Sequence, residues 1–129
     1  METAKGLQTS ERFRIGALLA VAGGLLDAYT YLMRGGVFAN AQTGNIVLLG
    51  VRAVEGDWSG ALHYLLPILA FAAGVIAAEC IKERLKEARV VHWRQVTVCL
   101  EIILLALVAF LPQQLNALAN IMVSFVCAI

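Results

Sequence analysis

An aspartate lies inside a long apolar run of this sequence, and a break rich in glycine and amide side chains follows it. The stretch extends from Ala22 to Asn45 and reads AGGLLDAYTYLMRGGVFANAQTGN. An ionised side chain at the centre of a bilayer costs roughly 2.5 to 3.5 kcal/mol, and irregular backbone at that depth is tolerated only against protein or a water-filled cavity. Helix packing, a ligand site, or both must therefore stabilise Asp27 and the break.

The composition indicates that this stretch belongs to a membrane protein. Hydrophobic residues make up 60% of the 129 residues, and only 15% are charged, against about 25% in soluble proteins. The mean hydropathy is +0.79. The formal net charge is +1, and the basic residues stand in short clusters beside apolar runs, which excludes nucleic-acid binding. The sequence predicts an all-α, polytopic membrane protein.

Apolar runs divide the chain into a polar tail and one membrane domain. We predict a cytoplasmic N-terminal tail over residues 1–14 and a single transmembrane domain over residues 15–129. A helix rises about 1.5 Å per residue, so crossing a hydrocarbon core of about 30 Å takes about 20 residues. We predict three full spans, at about 15–33, 61–81 and 96–111. A re-entrant half-helix is predicted at about 44–54, and a truncated fourth helix at about 115–129.

Small residues give the first span a face for close packing. They recur at every fourth position and so lie on one helical stripe, which is typical of helix–helix interfaces in membranes. Asp27 and Tyr31 lie on the adjacent stripe, so Asp27 should face protein or water rather than lipid. A broad small-residue face around Gly74 of the second full span is predicted to receive the first span. The predicted packing residues are Gly16, Ala20, Gly23, Gly24 and Ala28.

The predicted half-helix begins at Thr43, Gly44 and Asn45, which offer a hydroxyl group, a backbone without a side chain and an amide group. Unpaired N–H groups and the positive end of the helix dipole favour an anion or a polar ligand group at a helix N-terminus. The alternative is that Thr43 or Asn45 simply caps the helix. The candidate site for a substrate or ion comprises Asp27, Tyr31, Asn40, Thr43, Gly44 and Asn45.

The distribution of lysine and arginine predicts the orientation. Eight of these residues lie in the N-terminal tail and in the charged segment Lys82–Arg94, whereas only Arg34 and Arg52 lie on the other side. Cytoplasmic segments carry the excess of positive charge, so the N-terminus is predicted to be cytoplasmic. This count holds only if residues 44–54 dip into the membrane and return to the same side.

Other polar residues in the apolar runs give weaker signals. Glu101 is a second carboxylate inside a predicted span and is a secondary candidate, although it could equally bond a neighbouring helix. The histidines, His63 and His92, lie at predicted interfaces on opposite sides, and no motif pairs a nucleophile with a base. We therefore expect no enzyme activity, no metal site and no cofactor.

The segments AGGLLDAYTYL and GGVFANAQTGN, followed by the short VLLG helix, resemble the YoaK-type family of bacterial membrane proteins, a domain of unknown function. The resemblance covers the chain from about Arg14 onward, and the pairing of GGxxDA with TGN is its most specific part. Family members are typically longer, with a second threonine-glycine-asparagine segment. The resemblance therefore implies that this chain is the N-terminal half of an inverted-repeat protein.

These patterns lead to two hypotheses for the function. The preferred one is an inner-membrane transporter or permease, with Asp27 as a proton or cation carboxylate and Thr43, Gly44 and Asn45 as a polar cradle. The alternative is a structural or regulatory membrane protein in which the same residues only lock helices together. The expected partners are the lipid bilayer, an unknown small solute or ion, and either the missing C-terminal half or another copy of the chain.

Overall fold

The described part of the chain is built from helices. The computed structural model describes residues 3–85 and 93–129, with side chains from residue 13 onward, and no strand occurs within these ranges. The predicted all-α class is therefore confirmed. The helices are α1 (Thr3–Met33), α2 (Gln42–Val54), α3 (Trp58–Leu85), α4 (Trp93–Ala109) and α5 (Asn116–Ala128), with a 3-10 turn at Gln113–Leu115 before α5.

Two of the helices differ from the predicted spans mainly by extending into polar sequence. The apolar segments Phe13–Met33 and Trp58–Leu85 are long and apolar enough to cross a membrane, but α1 already begins at Thr3 within the predicted tail. The charged segment Lys82–Arg94 continues α3 as far as Leu85. Its residues 86–92, including His92, lie outside the described residues.

Helix α3 packs against both α2 and α5. A Cβ atom added to Gly74 would lie 2.5 Å from the carbonyl oxygen of Phe125 and 2.7 Å from the Cβ of Ala128. The expectation that this small-residue face receives the first span is therefore wrong, because α5 occupies it. Helix α1 contacts α5 instead, where Asn120 binds the carbonyl oxygen of Arg34.

The break between α1 and α2 passes through the centre of the bundle. Val37 and Ala39 are fully buried, and Ala39 forms a core cluster with Val108, Ala119 and Val123 from α4 and α5. Burying these apolar side chains stabilises the fold and holds the irregular backbone against protein. The break is consequently a packed element, and it fixes where α2 begins.

Candidate functional site

Two glycines end α1 and turn the chain into the break. Gly35 and Gly36 have φ angles of 96° and 79°, in the left-handed region that is costly for residues with a Cβ atom. The backbone N–H of Gly36 donates to the carbonyl oxygen of Tyr31 at 3.0 Å. This closure redirects the chain so that residues 37–41 run back alongside α1.

The Asp27 carboxylate lies at the N-terminus of α2. Its Oδ1 accepts a hydrogen bond from the backbone N–H of Asn40 at 2.7 Å, and its Oδ2 accepts from that of Ala41 at 3.2 Å. Ala41 is the N-cap residue of α2 and offers no side-chain cap. Asp27 therefore caps α2 from another helix, and its negative charge complements the positive end of the α2 dipole.

Asn45 holds the backbone of the break together. It is fully buried, and its Oδ1 accepts from the backbone N–H of Phe38 at 3.0 Å. Its Nδ2 donates to the Phe38 carbonyl oxygen at 2.5 Å and to Gln42 Oε1 at 2.9 Å. Neither Thr43 nor Asn45 caps α2, because the helix begins at Gln42 and both residues lie inside its first turn. Thr43 is exposed.

Aromatic stacking covers the same end of α2. The rings of Tyr31 and Phe38 stack with centroids 4.7 Å apart and planes inclined by 24°. A Cβ atom on Gly44 would lie 2.7 Å from Phe38 Cδ2, so the absence of a side chain at Gly44 lets the ring lie against α2. Asp27, Tyr31 and the residues of the first turn of α2 are thus brought together.

Asn40 also belongs to this group, because it approaches α1 at a predicted packing residue. A Cβ atom on Gly23 would lie 2.6 Å from Asn40 Nδ2. The other predicted packing residues are not covered in the same way. Gly16 and Gly24 have open space where a Cβ would stand, and Ala20 and Ala28 are exposed. The packing role of this stripe stays a prediction.

Glu101 lies on a different helix from the rest of the candidate site. It is half-buried on α4. Both α4, which carries Glu101, and α1, which carries Asp27, contact α5.

Arg34 is a functional residue that the sequence patterns did not single out. Only 4% of its surface is exposed. Its guanidinium donates to the carbonyl oxygens of Leu111 at 2.9 Å and Pro112 at 3.2 Å, and its Nε donates to the Tyr29 hydroxyl at 2.7 Å. Its Nη2 also donates to the carbonyl oxygen of Val108, in the last turn of α4, at 3.4 Å. Arg34 therefore binds the end of α4 and the turn that follows it. The sequence signal available was a tyrosine five residues before an arginine that directly follows an apolar helix.

Together these features define a class of protein: a helical protein that has, among the residues the structure describes, two helices able to cross a membrane and a carboxylate on one helix that caps the next. The chain belongs to the family described as Protein of unknown function (DUF1275), whose model matches residues 15–129. No curated protein and no solved structure matches the chain. The family description names no activity, so a functional proposal rests on the residues of the site.

Proposed function

We propose that the chain is part of a YoaK-type transporter or permease of the bacterial cytoplasmic (inner) membrane, acting on an unidentified small solute or ion. One observation carries the proposal. The Asp27 carboxylate of α1 meets the N-terminus of α2, and α2 lies in the sequence between two helices that are long enough to span a bilayer, α1 and α3. Secondary transporters form their substrate and ion sites in this way, from the ends of broken helices.

The proposed topology has α1, α3 and α4 as full spans, α2 as a re-entrant half-helix and α5 as an incomplete fourth span. The 13 residues of α2 reach only about 20 Å at about 1.5 Å per residue. A hydrocarbon core measures about 30 Å, so α2 is too short to cross it.

Contacts at the end of α1 support a return of α2 to the side from which it enters. Arg34, directly after α1, binds the end of α4. His63, near the start of α3, bonds through Nε2 to the Gly35 carbonyl oxygen at 2.9 Å. The ends of α1 and α4 and the start of α3 therefore share one level. Asp27 lies about two turns before the end of α1, or roughly 10 Å deeper, and α2 starts at that depth.

In the proposed mechanism, Asp27 and the transported group compete for the same backbone N–H groups. While Asp27 is ionised it occupies the N–H groups of Asn40 and Ala41. Protonation of Asp27, or a cation bound beside it, weakens this hold, and the first turn of α2 then accepts a polar or anionic group. Tyr31 and Thr43 are exposed beside this turn and would contact the substrate.

Flux through the full-length protein tests the proposal. Proteoliposomes that contain a pH-sensitive dye report proton movement driven by gradients of small organic acids, amino acids or inorganic cations. We expect a substrate-driven signal that Asp27→Asn abolishes. The matched control is Glu55→Gln, at an exposed carboxylate in the α2–α3 turn, which should leave the flux unchanged. Unaltered, pH-coupled transport by Asp27→Asn would exclude the proposed role of Asp27.

A structural or regulatory membrane protein is the second candidate, and the hydrogen bonds of the break favour it. Asn45 uses its side-chain amide to hold Phe38 and Gln42, and Asp27 binds backbone N–H groups. For this candidate, Asp27→Asn lowers thermal stability in detergent without changing a response to any ligand. A flux signal that depends on Asp27 would contradict it.

The proposed partners are the lipid bilayer and a further helical segment, either the C-terminal half of the protein or a second copy of the chain. Leu18 and Leu25 are 70% and 65% exposed, as suits contact with lipid. The open space over Gly16 and Gly24 would accept another helix. In a cysteine-free background, Gly24→Cys should cross-link to a larger species in native membranes and Leu25→Cys should not. Equal cross-linking of both variants contradicts this surface.

A further inference from the structure

Glu101 carries a carboxyl group at the midpoint of α4. It is the central residue of the 17 in this helix, so either end of α4 is about 12 Å away along the axis. In the proposed topology α4 is a full span, which places the carboxyl group near the midplane of the bilayer. An ionised side chain at that depth is costly and needs a partner.

The side chain of Glu101 lies on the face of α4 that packs into the bundle. Thr97, one turn earlier, is 4% exposed, and Val108, two turns later, is 3% exposed. Leu105, one turn later, packs against the core cluster, and Glu101 itself is half-buried. On this face of α4 the neighbours of the carboxyl group are therefore one hydroxyl group and apolar side chains.

The polar neighbour of Glu101 can accept a hydrogen bond from it but does not donate one. The Thr97 hydroxyl donates its hydrogen to the carbonyl oxygen of Arg94 at 3.0 Å, so Thr97 Oγ1 offers only lone pairs to other groups. Within the described residues, no group donates a hydrogen bond to Glu101 or forms an ion pair with it. An ionised carboxylate needs donors, whereas a protonated carboxyl group brings its own hydrogen. These surroundings suit the protonated form.

The charged groups around α4 lie towards its ends. Arg34 binds the carbonyl oxygen of Val108, and Arg94 lies in the first turn of α4. Both Val108 and Arg94 are about 10 Å from Glu101 along the helix. Helix α4 packs against α5 and α3, and Cys127 is the one titratable residue in the sequence of α5. The titratable residues of α3 are near its two ends: His63, Tyr64, Glu79, Cys80, Lys82, Glu83 and Arg84.

We propose that Glu101 is a proton-binding site within the membrane, a carboxyl group that holds its proton at neutral pH. Taking up a proton removes the cost of an unpaired charge in apolar surroundings. The neutral acid can then donate a hydrogen bond to Thr97 Oγ1. The inference deepens the proposed function, on which it rests for the depth of α4, by assigning a bound proton to a second carboxyl group beside Asp27 of α1.

A hydrophobic carbodiimide tests the site, because such a reagent enters lipid and reacts with protonated carboxyl groups. A carboxyl oxygen adds to the carbodiimide carbon, and the carboxyl proton passes to a carbodiimide nitrogen. The resulting O-acylisourea rearranges to a stable N-acylurea, so the whole reagent is added and nothing leaves. The adduct is therefore located by mass spectrometry after digestion of the protein.

The full chain in lipid nanodiscs is treated with dicyclohexylcarbodiimide at neutral pH. We expect the adduct at Glu101, at least about tenfold more abundant than at Glu55, an exposed carboxylate in the α2–α3 turn. Labelling of Glu101 should decrease as the pH is raised. An unlabelled Glu101 would overturn the proposal.

The variant Glu101→Gln gives a second measurement, because glutamine has the shape of the neutral acid. We expect its Tm in detergent to equal or exceed that of wild type at neutral pH. A group that binds its proton more tightly in the folded state contributes less stability as the pH rises. The Tm of wild type should therefore fall relative to that of Glu101→Gln between about pH 6 and about pH 9.

The matched control for the pH profile is Glu55→Gln, at the exposed carboxylate, whose difference in Tm from wild type should stay constant over this range. A lower Tm for Glu101→Gln than for wild type, with a difference that does not change with pH, is expected of an ionised and partnered carboxylate and would contradict the proposal. Failure of this site is distinguishable from failure of the proposed function, because flux that depends on Asp27 does not require a proton on Glu101.

Discussion

Asp27 and Arg34 are two charged side chains on or directly after one helix, and each satisfies the end of another helix. Asp27 binds the N–H end of α2, and Arg34 binds a carbonyl oxygen in the last turn of α4 and others in the turn that follows. Both charges complement the helix dipole that they face. The difference is burial: Arg34 is 4% exposed, whereas Asp27 is half-buried and binds the backbone of two exposed residues, Asn40 and Ala41.

Because of this difference, the contacts of Arg34 are permanent, whereas the contact between Asp27 and α2 can be released. An arginine keeps its charge at every pH of interest, and Arg34 is held by the carbonyl oxygens and by the Tyr29 hydroxyl. A carboxylate can be neutralised by a proton or screened by a cation. We therefore assign the rigidity of the bundle to Arg34 and the switchable contact to Asp27.

The largest expected effect is at Arg34. Arg34→Ala removes a buried side chain that binds the Tyr29 hydroxyl and three carbonyl oxygens, of which that of Leu111 loses its donor. We expect the free energy of unfolding to fall by about 3 kcal/mol. The control is Arg52→Ala, because Arg52 pairs with Glu55 at 3.4 Å on the surface, where such pairs contribute about 0.5 kcal/mol. Unfolding in mixed detergent micelles measures both. Equal losses of unfolding free energy would show that Arg34 stabilises the bundle no more than a surface residue does.

Substitutions at two glycines of α2 test the packing of the helix whose N-terminus Asp27 binds. Gly44→Ala forces the Phe38 ring away from α2, and we expect a loss of about 1 to 3 kcal/mol. Gly50→Ala is the matched control on the same helix, because nothing lies within 4 Å of an added Cβ there. It should stabilise the protein by about 0.5 to 1 kcal/mol. The same unfolding assay applies, and a neutral Gly44→Ala would contradict the stacking geometry.

A smaller effect is expected at Asp27 itself. Asp27→Asn keeps one acceptor oxygen but loses the charge that faces the N-terminus of α2. We expect the free energy of unfolding to fall by about 1 kcal/mol, well below the loss for Arg34→Ala. If Asp27→Asn and Arg34→Ala lower the free energy of unfolding equally in mixed micelles, the distinction between a permanent and a releasable contact is wrong.

The smallest effect concerns Asp57, in the turn before α3, which provides an exposed carboxylate for comparison with Asp27. A hydrogen bond from the Gly60 backbone N–H, a second from the Ser59 hydroxyl and the nearby Arg52 charge lower the pKa of Asp57. A carboxyl group whose pKa is lower in the folded state stabilises the fold at pH values above its usual pKa of about 4. This contribution is lost as the pH falls through the pKa of the folded state. Tm should therefore decrease on acidification more in wild type than in Asp57→Asn. Parallel pH profiles would contradict this contribution.

The sequence predicted the helices well and the partners of individual side chains poorly. Apolar length and Gly35–Gly36 predicted where α1 ends, because both signals are local. Asp27 was expected to face protein or water, but the backbone N–H groups that it binds were not predicted. Arg34 was counted only as a charge that indicates orientation, and its burial was not predicted. Their positions depend on contacts with residues such as Asn40 and Leu111, which no local pattern encodes.

The same limit applies to the packing of α3. The small residues around Gly74 correctly indicated a close contact, but the pattern does not say which helix makes it, and the partner is α5. The sequence patterns did not single out Asn120 and Ser124 of α5, because the burial of their side-chain oxygens depends on tertiary packing.

Hydrogen–deuterium exchange at the start of α2 tests the central claim most directly. Wild type and Asp27→Asn are compared in lipid nanodiscs, with exchange resolved at the backbone N–H groups of Asn40 and Ala41. If Asp27 caps α2 as a releasable contact, both amides exchange faster in Asp27→Asn. The amides in the last turn of α4, beside the carbonyl oxygens that accept from Arg34, do not change. Identical exchange at Asn40 and Ala41 in the two proteins would contradict the claim.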